Sequence, residues 1–290
     1  MIKSKQTKIG DIIIVLICLL LIFICLVPML NVLARSLSSS NYLIRNEVIL
    51  WPKGWNVDAY KTVLSNAKYV HSLWYTALLT VFCTILSLTM PVICAYPLTY
   101  DKLKRGKLIN GVILFTMYFS AGTIPHYLLL NRLGMLETVW VLIIPSCLSV
   151  YNMIIMRSSF YGVPESLREA AEIDGAGPIR TLIKVYLPLS KPVLATLALF
   201  YAVGRWNGFS DALLYIKKRE DLYPIQLYLY NILQNTTSTE EATQEGFSNP
   251  GLSETLKMAT VMFATVPILV VYPWLQRYFV AGVTIGAVKG

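Results

Sequence analysis

The sequence predicts an all-α polytopic membrane protein: six transmembrane helices and a polar helix–turn–helix lying against the inner face of the membrane. Three observations predict it. Of the 290 residues, 56% are hydrophobic and 14% charged, with a mean hydropathy of +0.58, whereas a soluble domain carries about a quarter charged residues. Six apolar stretches reach or approach the roughly 20 residues that cross a hydrocarbon core: 12–33, 73–98, 108–130, 139–156, 193–216 and 258–278. One polar, glycine-broken stretch, "EAAEIDGAGPIRTLIKVYLP" from Glu169 to Pro188, stands apart from them. The apolar runs are continuous rather than alternating, which excludes a barrel, and in lipid only barrels and helices satisfy the backbone. The whole of 1–290 reads as one transmembrane domain.

The elements follow in order. The first run, Ile12–Leu33, is too long for the apolar region of a signal peptide and lacks an A-x-A-like exit, so it is expected to be a retained span. In the loop 34–72, Trp51 and Trp55 suit an interfacial belt, and Val57–Leu64 is set up as a short surface helix. The fifth span is the weakest, because Arg205 and Asp211 interrupt its outer half; Arg205 is expected to snorkel towards water. The last outer loop is polar and acidic, with Glu240, Glu241 and Glu245. The five cysteines, Cys18, Cys25, Cys83, Cys94 and Cys147, lie in apolar runs without a C-x-x-C pair and read as packed thiols.

Charge orients the chain in its partner, the lipid bilayer. With a cytoplasmic N-terminus, the inner segments hold 14 Lys and Arg in 69 residues and the outer ones 11 in 100. Basic residues concentrate on the cytoplasmic side of membrane proteins, so both termini are expected there. The cluster Lys217-Lys218-Arg219 runs against this orientation. The net charge of +9 is explained the same way and does not call for nucleic acid.

The stretch 157–191 is then cytoplasmic. Pro164 suits the first turn of a helix, with Glu165 and Glu169 near its positive end. Leu167, Ala170, Ala171 and Asp174 follow i, i+3, i+4, i+7 spacing and share one face. Gly175 suits the left-handed position after a helix, Pro178 opens a second helix, and Pro188 is expected to stop it. Small side chains on the alanine face permit close approach by another protein. From the residues alone, a passive linker and a docking segment are both open.

The segment also resembles the EAA signature of the membrane subunits of ATP-binding-cassette importers: E-A-A, three residues, Gly, nine residues, Ile-x-Leu-Pro. Glu169, Ala170, Ala171, Gly175, Leu187 and Pro188 match, with Val185 where the pattern has Ile. "YFSAGTIPHYLLLNRLGML", "PSCLSVYNMIIMRSSF", "WNGFSDALLYI" and "QRYFVAGVTIGAVKG" are similar to maltose-permease-like carbohydrate permeases, closest to the group serving polysaccharide-derived and complex oligosaccharides. Ala121 replaces a glycine common in that group. The resemblance implies the type I importer permease fold, in a bacterial cytoplasmic membrane. It makes 169–188 a coupling loop in which Glu169, Ala170, Ala171, Asp174, Gly175, Leu187 and Pro188 meet the ATPase. It implies a second homologous permease, two ATP-binding-cassette ATPases that use ATP with Mg, an extracellular solute-binding protein and an oligosaccharide substrate. It also implies a C-terminal tail from Thr284 that inserts between the ATPases; the residues alone make this tail a frayed end.

The chain carries no G-x-x-x-x-G-K-[ST], no H-E-x-x-H, and only two separated histidines, His71 and His126. It is therefore expected to be no enzyme, to hold no cofactor or metal, and to draw its energy from elsewhere; His126 reads as a packed or interfacial ring. Polar groups inside spans usually face a cavity or a partner. Tyr118, Tyr151, Asn152, Tyr201, Trp206 and Asn207 are the candidates for the substrate pathway, although each lone aromatic also suits interhelix packing. An ion-coupled secondary transporter or channel, and a membrane enzyme, are the alternatives; few carboxylates lie in the spans and no catalytic constellation is present.

Overall fold

The computed structural model describes residues 5–100, 103–234 and 250–287. No strand occurs among them; a bridge pairs Ser38 with Trp55. The chain forms two compact units, one from Met1–Val70 and Leu229–Val266, the other from His71–Tyr228 and Pro267–Gly290.

In the first unit, α1 (Lys5–Ser36) carries an apolar stretch, Gly10–Ser36, that is exposed from Ile12 to Leu26 and becomes buried only at its end, at Ala34 and Ser36. The short helices α2 (Ser40–Ile44) and α3 (Asp58–Ser65) follow, the latter where a surface helix is expected. Ala34, Leu43 and Val48 form a small buried cluster. Ser36 Oγ meets Tyr60 Oη at 2.7 Å, and the Lys53 N–H donates to Ser38 Oγ at 3.0 Å. Arg35 pairs with Glu254 of α15 (Pro250–Ala287). Trp51 and Trp55 are strongly exposed. The acidic stretch 235–249 lies outside the described residues.

The second unit is built on α4 (Ala67–Ala95), which begins in the first. Among the described residues, three helices are long and apolar enough to cross a membrane: α1, α4 with its following 3-10 turn, and α15 over Glu254–Val271. Three bent pairs raise the number to six when each is counted as one span. The stretches 108–130, 139–156 and 193–216 are thus not simple rods.

Each bend has a local cause. Between α5 (Gly106–Tyr118) and α6 (Thr123–Arg132) the chain turns by 111°. Gly122 there has φ +89°, which a side chain disfavours. Between the short helical run of α7 (Trp140–Ile143) and α8 (Val150–Tyr161), the bend is 48°. Ser149 Oγ accepts the Asn152 N–H and caps α8.

The third bend, 82°, corrects the expected stop at Pro188. After α9 (Glu165–Ile173), α10 (Pro178–Thr181), a π turn over Leu182–Tyr186 and α11 (Leu187–Leu189) run on without a break. A proline ring inside a regular α-helix crowds the carbonyl four residues earlier, which for Pro188 is that of Lys184 in the π turn. The wider π turn relieves that clash, and the break falls at Ser190, before α12 (Lys191–Asn207). The last helix also outruns the expectation of a frayed end: its backbone is helical to Ala287, and 288–290 lie outside the described residues. The shorter α13 (Ser210–Tyr215) and α14 (Ile225–Gln234) complete the chain.

The core of this unit gathers Val92, Ala95, Tyr96 and Leu98, then Met153, Met156 and Phe160, with Tyr186 and Leu197. Tyr96, Phe160 and Tyr186 meet edge to face at centroid separations of 5.1–6.2 Å, the geometry aromatic quadrupoles prefer.

Candidate functional site

The polar helix–turn–helix is built as its residues dictate. Pro164 stands just before α9 with ψ 133°, outside the first turn rather than in it. At the other end Gly175 has φ +76°. Its N–H donates to Glu172 O at 3.0 Å and the next N–H, of Ala176, reaches Ala171 O at 2.9 Å. These two bonds form a Schellman closure, which satisfies carbonyls a helix end would otherwise orphan. Pro178 then starts α10, where its missing N–H costs nothing.

This closure exposes rather than buries. No residue of α9 is buried. Glu169, Ala170, Asp174, Gly175 and Pro188 are exposed, and Ala171 and Leu187 are half-buried. The most exposed apolar side chains are Ile173 at 86% and Ile179 at 74%, one on each side of the turn, joined by Leu167 and Ile183. Sequence spacing pointed to the alanine face; the two isoleucines at the helix ends fall outside that periodicity.

The loop is fastened from beneath by a residue the sequence reading passed over. Arg168 pairs with Glu165 one turn before it and with Glu172 one turn after it at 3.8 Å. Its guanidinium lies over the Tyr100 ring, 5.0 Å from the centroid. Tyr100 Oη meets Tyr96 Oη at 2.6 Å, and Tyr96 belongs to the aromatic core. From the far end, Ser159 Oγ and Ser190 Oγ hydrogen-bond at 3.0 Å. The Glu165, Glu172 spacing around Arg168 was the available signal.

The pathway candidates divide. Asn152 is buried, and with Ser149 it lies near the Tyr201 hydroxyl, which is itself buried without a hydrogen-bond partner, so α8 and α12 bring these polar groups together. Trp206 is buried, while Asn207 beside it is exposed. Tyr118 and Tyr151 are open, at 84% and 56%. His126 is exposed and tilts against Tyr215 at 6.2 Å.

Arg205 does not snorkel. It is buried, its Nη1 donating to Asp211 Oδ2 at 2.5 Å and to Leu142 O at 3.2 Å, its Nη2 to Asp211 Oδ1 at 3.1 Å and Gly208 O at 3.3 Å. The bend at Gly208 turns α13 back so that Asp211 meets it. At the loop between α6 and α7, Glu137 takes φ +59° and its two carboxylate oxygens accept the N–H groups of Lys217 and Lys218 at 2.9 and 3.1 Å. Partial burial raises its pKa, but the backbone donors of Lys217, Lys218 and Arg219 outweigh this and hold it below the usual carboxylate range. No cluster of metal-ligating side chains occurs among the described residues.

Long apolar helices, three of them broken, with a polar capped hairpin that turns apolar side chains outwards, define a membrane transport component. The chain belongs to the family of binding-protein-dependent transport system inner membrane components, whose model matches residues 62–285. It is 39% identical over 269 residues to the LplC protein of Bacillus subtilis, covering 92% of this chain and 90% of that one. It is 34% identical over 286 residues to the polygalacturonan/rhamnogalacturonan transport system permease protein YtcP of the same organism, covering 98% and 100%. Among solved structures, a chain of a bacterial ABC transporter involved in the import of the acidic polysaccharide alginate superposes with a TM-score of 0.88 at 32% identity, covering 96% of this chain and 99% of that one. The type I importer permease fold expected from the resemblance is thereby shown, and the protein is a permease subunit of an ATP-driven importer, not an enzyme.

Proposed function

We propose that the outward-facing side of the segment from Glu165 to Leu189, which excludes the inward-turned Arg168, is the surface on which a separate ATP-binding-cassette ATPase docks. In this reading Glu169, Ala170, Ala171, Asp174, Gly175, Leu187 and Pro188 form or frame the contact. The observation that carries it is the exposure of Ile173 and Ile179 on either side of a rigidly closed turn, since exposed apolar patches rimmed by polar residues mark partner sites. The chain works beside a second homologous permease, two ATPases that hydrolyse ATP with Mg, and an extracellular solute-binding protein. It holds no cofactor of its own. Both termini lie in the cytoplasm, which the denser basic residues of the inner segments support.

The cargo is an oligosaccharide released from a complex polysaccharide. The relative named for polygalacturonan/rhamnogalacturonan transport and the alginate importer support this class and favour acidic sugars. Tyr118, Tyr151, Asn152, Tyr201, Trp206 and Asn207 remain the pathway candidates, with the Asn152–Tyr201 pair supported by its polar surroundings.

Co-purification of the assembled complex tests the docking surface. Ile179→Asp is expected to release the ATPase at least tenfold while the chain remains in the membrane fraction, and pectin- or alginate-derived oligosaccharides are expected to stimulate ATP hydrolysis by the wild-type complex. Full ATPase recovery with both Ile179→Asp and Glu169→Lys would overturn the assignment, as would sugar uptake by the isolated chain driven by an ion gradient.

A further inference from the structure

The docking surface is tied to the membrane helices at a definite joint. No residue of α9 is buried, so this helix does not sink into the core of its own chain. Its Arg168 nevertheless reaches inwards, with a side chain only 17% exposed. Glu165, one turn before it, accepts a hydrogen bond from the guanidinium, and Glu172 adds a longer ionic contact, 3.8 Å, one turn after it. Beneath it lies the Tyr100 ring, 5.0 Å away. Tyr100 follows the 3-10 turn Pro97–Thr99 that ends the α4 span, and its hydroxyl is bonded to that of Tyr96. Tyr96 packs edge-on against Phe160 of α8 and Tyr186 of the π turn. A push on α9 thus reaches α4 and α8 through a guanidinium–ring stack and an interlocked set of aromatic edges, contacts that resist compression because interiors are close-packed.

We propose that Arg168 stacked on Tyr100 is the joint that converts displacement of the docked helix into movement of the membrane helices. Both are positioning residues: neither touches nucleotide or sugar. The inference rests on the docking reading above, and its test separates the two. The complex of this chain with its partner permease and ATPases is reconstituted in proteoliposomes. Sugar carried per ATP hydrolysed is measured with a pectin- or alginate-derived oligosaccharide that the wild type transports.

Tyr100→Leu and Arg168→Gln are expected to keep the ATPase bound and hydrolysing while sugar carried per ATP falls about fivefold, the scale of a lost cation–π contact. Tyr100→Phe keeps the ring and is expected to retain most of the wild-type ratio. The double variant Tyr100→Leu/Arg168→Gln is expected to be no worse than either single one, because the two residues act as a unit. An unchanged ratio in both single variants overturns the proposal. So does loss of the ATPase from either, which would make the pair part of the dock rather than the joint. A wild-type chain that recovers no ATPase overturns the docking reading instead.

Discussion

The turn at Gly175 and the turn at Gly208 solve the same problem with opposite means. Each ends one helix and leads into another. At Gly175, closure uses two backbone hydrogen bonds within six residues, and Ile173 and Ile179 are left facing outwards. At Gly208, closure uses a buried guanidinium that grips Asp211, the Gly208 carbonyl, and the Leu142 carbonyl 63 positions earlier. The first turn is complete in itself and offers its apolar surface to something else. The second is incomplete without distant groups and offers nothing. A part meant to be gripped has to be rigid on its own account, whereas a part meant to stay put can lean on its neighbours.

The sharpest way to break this contrast is to strip the second turn of its partner. Asp211→Leu leaves Arg205 buried and unpaired, which is expected to cost about 3 kcal/mol. Thermal unfolding in detergent should show a clearly lowered midpoint, with Arg205→Met/Asp211→Leu recovering much of the loss. A midpoint unchanged by Asp211→Leu would mean that the elbow does not depend on the ion pair.

A smaller and more local effect is expected at the first turn. No atom lies within 4 Å of the position a Cβ would take on Gly175. Gly175→Ala therefore costs only its left-handed backbone, about 1 kcal/mol. Amide hydrogen exchange over 165–177 should quicken roughly fivefold while the global midpoint holds. Gly177→Ala, at φ −72°, should change neither.

The two turns also differ in how far they could be read in advance. Everything that shapes the first is local: a glycine for the left-handed residue, a proline at N1, acidic residues in the first turn. Spacing alone gave its place and form. It did not give Ile173 and Ile179, which sit at helix ends where a 3.6-residue period has no face to declare. The stop at Pro188 failed because a π turn is not written in composition. The second turn was misread because Arg205 and Asp211 are six residues apart, a spacing that brings no pair together on a straight helix. Only the bend at Gly208 makes them meet. The breaks at 119–122 and 147–149 were hidden by apolar runs that continue on both sides of them.

The smallest effect concerns Glu137, whose latch on Lys217 and Lys218 joins both kinds of construction: local strain and distant partners. Its folded pKa lies below its unfolded one. Its contribution is therefore present above the ordinary carboxylate pKa and is lost as pH falls through the lowered value. Glu137→Gln should be slightly less stable than wild type at neutral pH, and the gap should close on acidification. A gap that widens instead would remove the latch.

α1 adds a consequence of a different kind. Its apolar stretch of 27 residues is exposed from Ile12 to Leu26, and only its end, around Ala34 and Ser36, packs on its own chain. At 1.5 Å per residue it is about 40 Å long, more than a bilayer's oily layer is thick. Such a segment can dissolve in lipid during synthesis as soon as it is made, ahead of the helices that follow. What it then rests on is decided by the company it finds in the membrane.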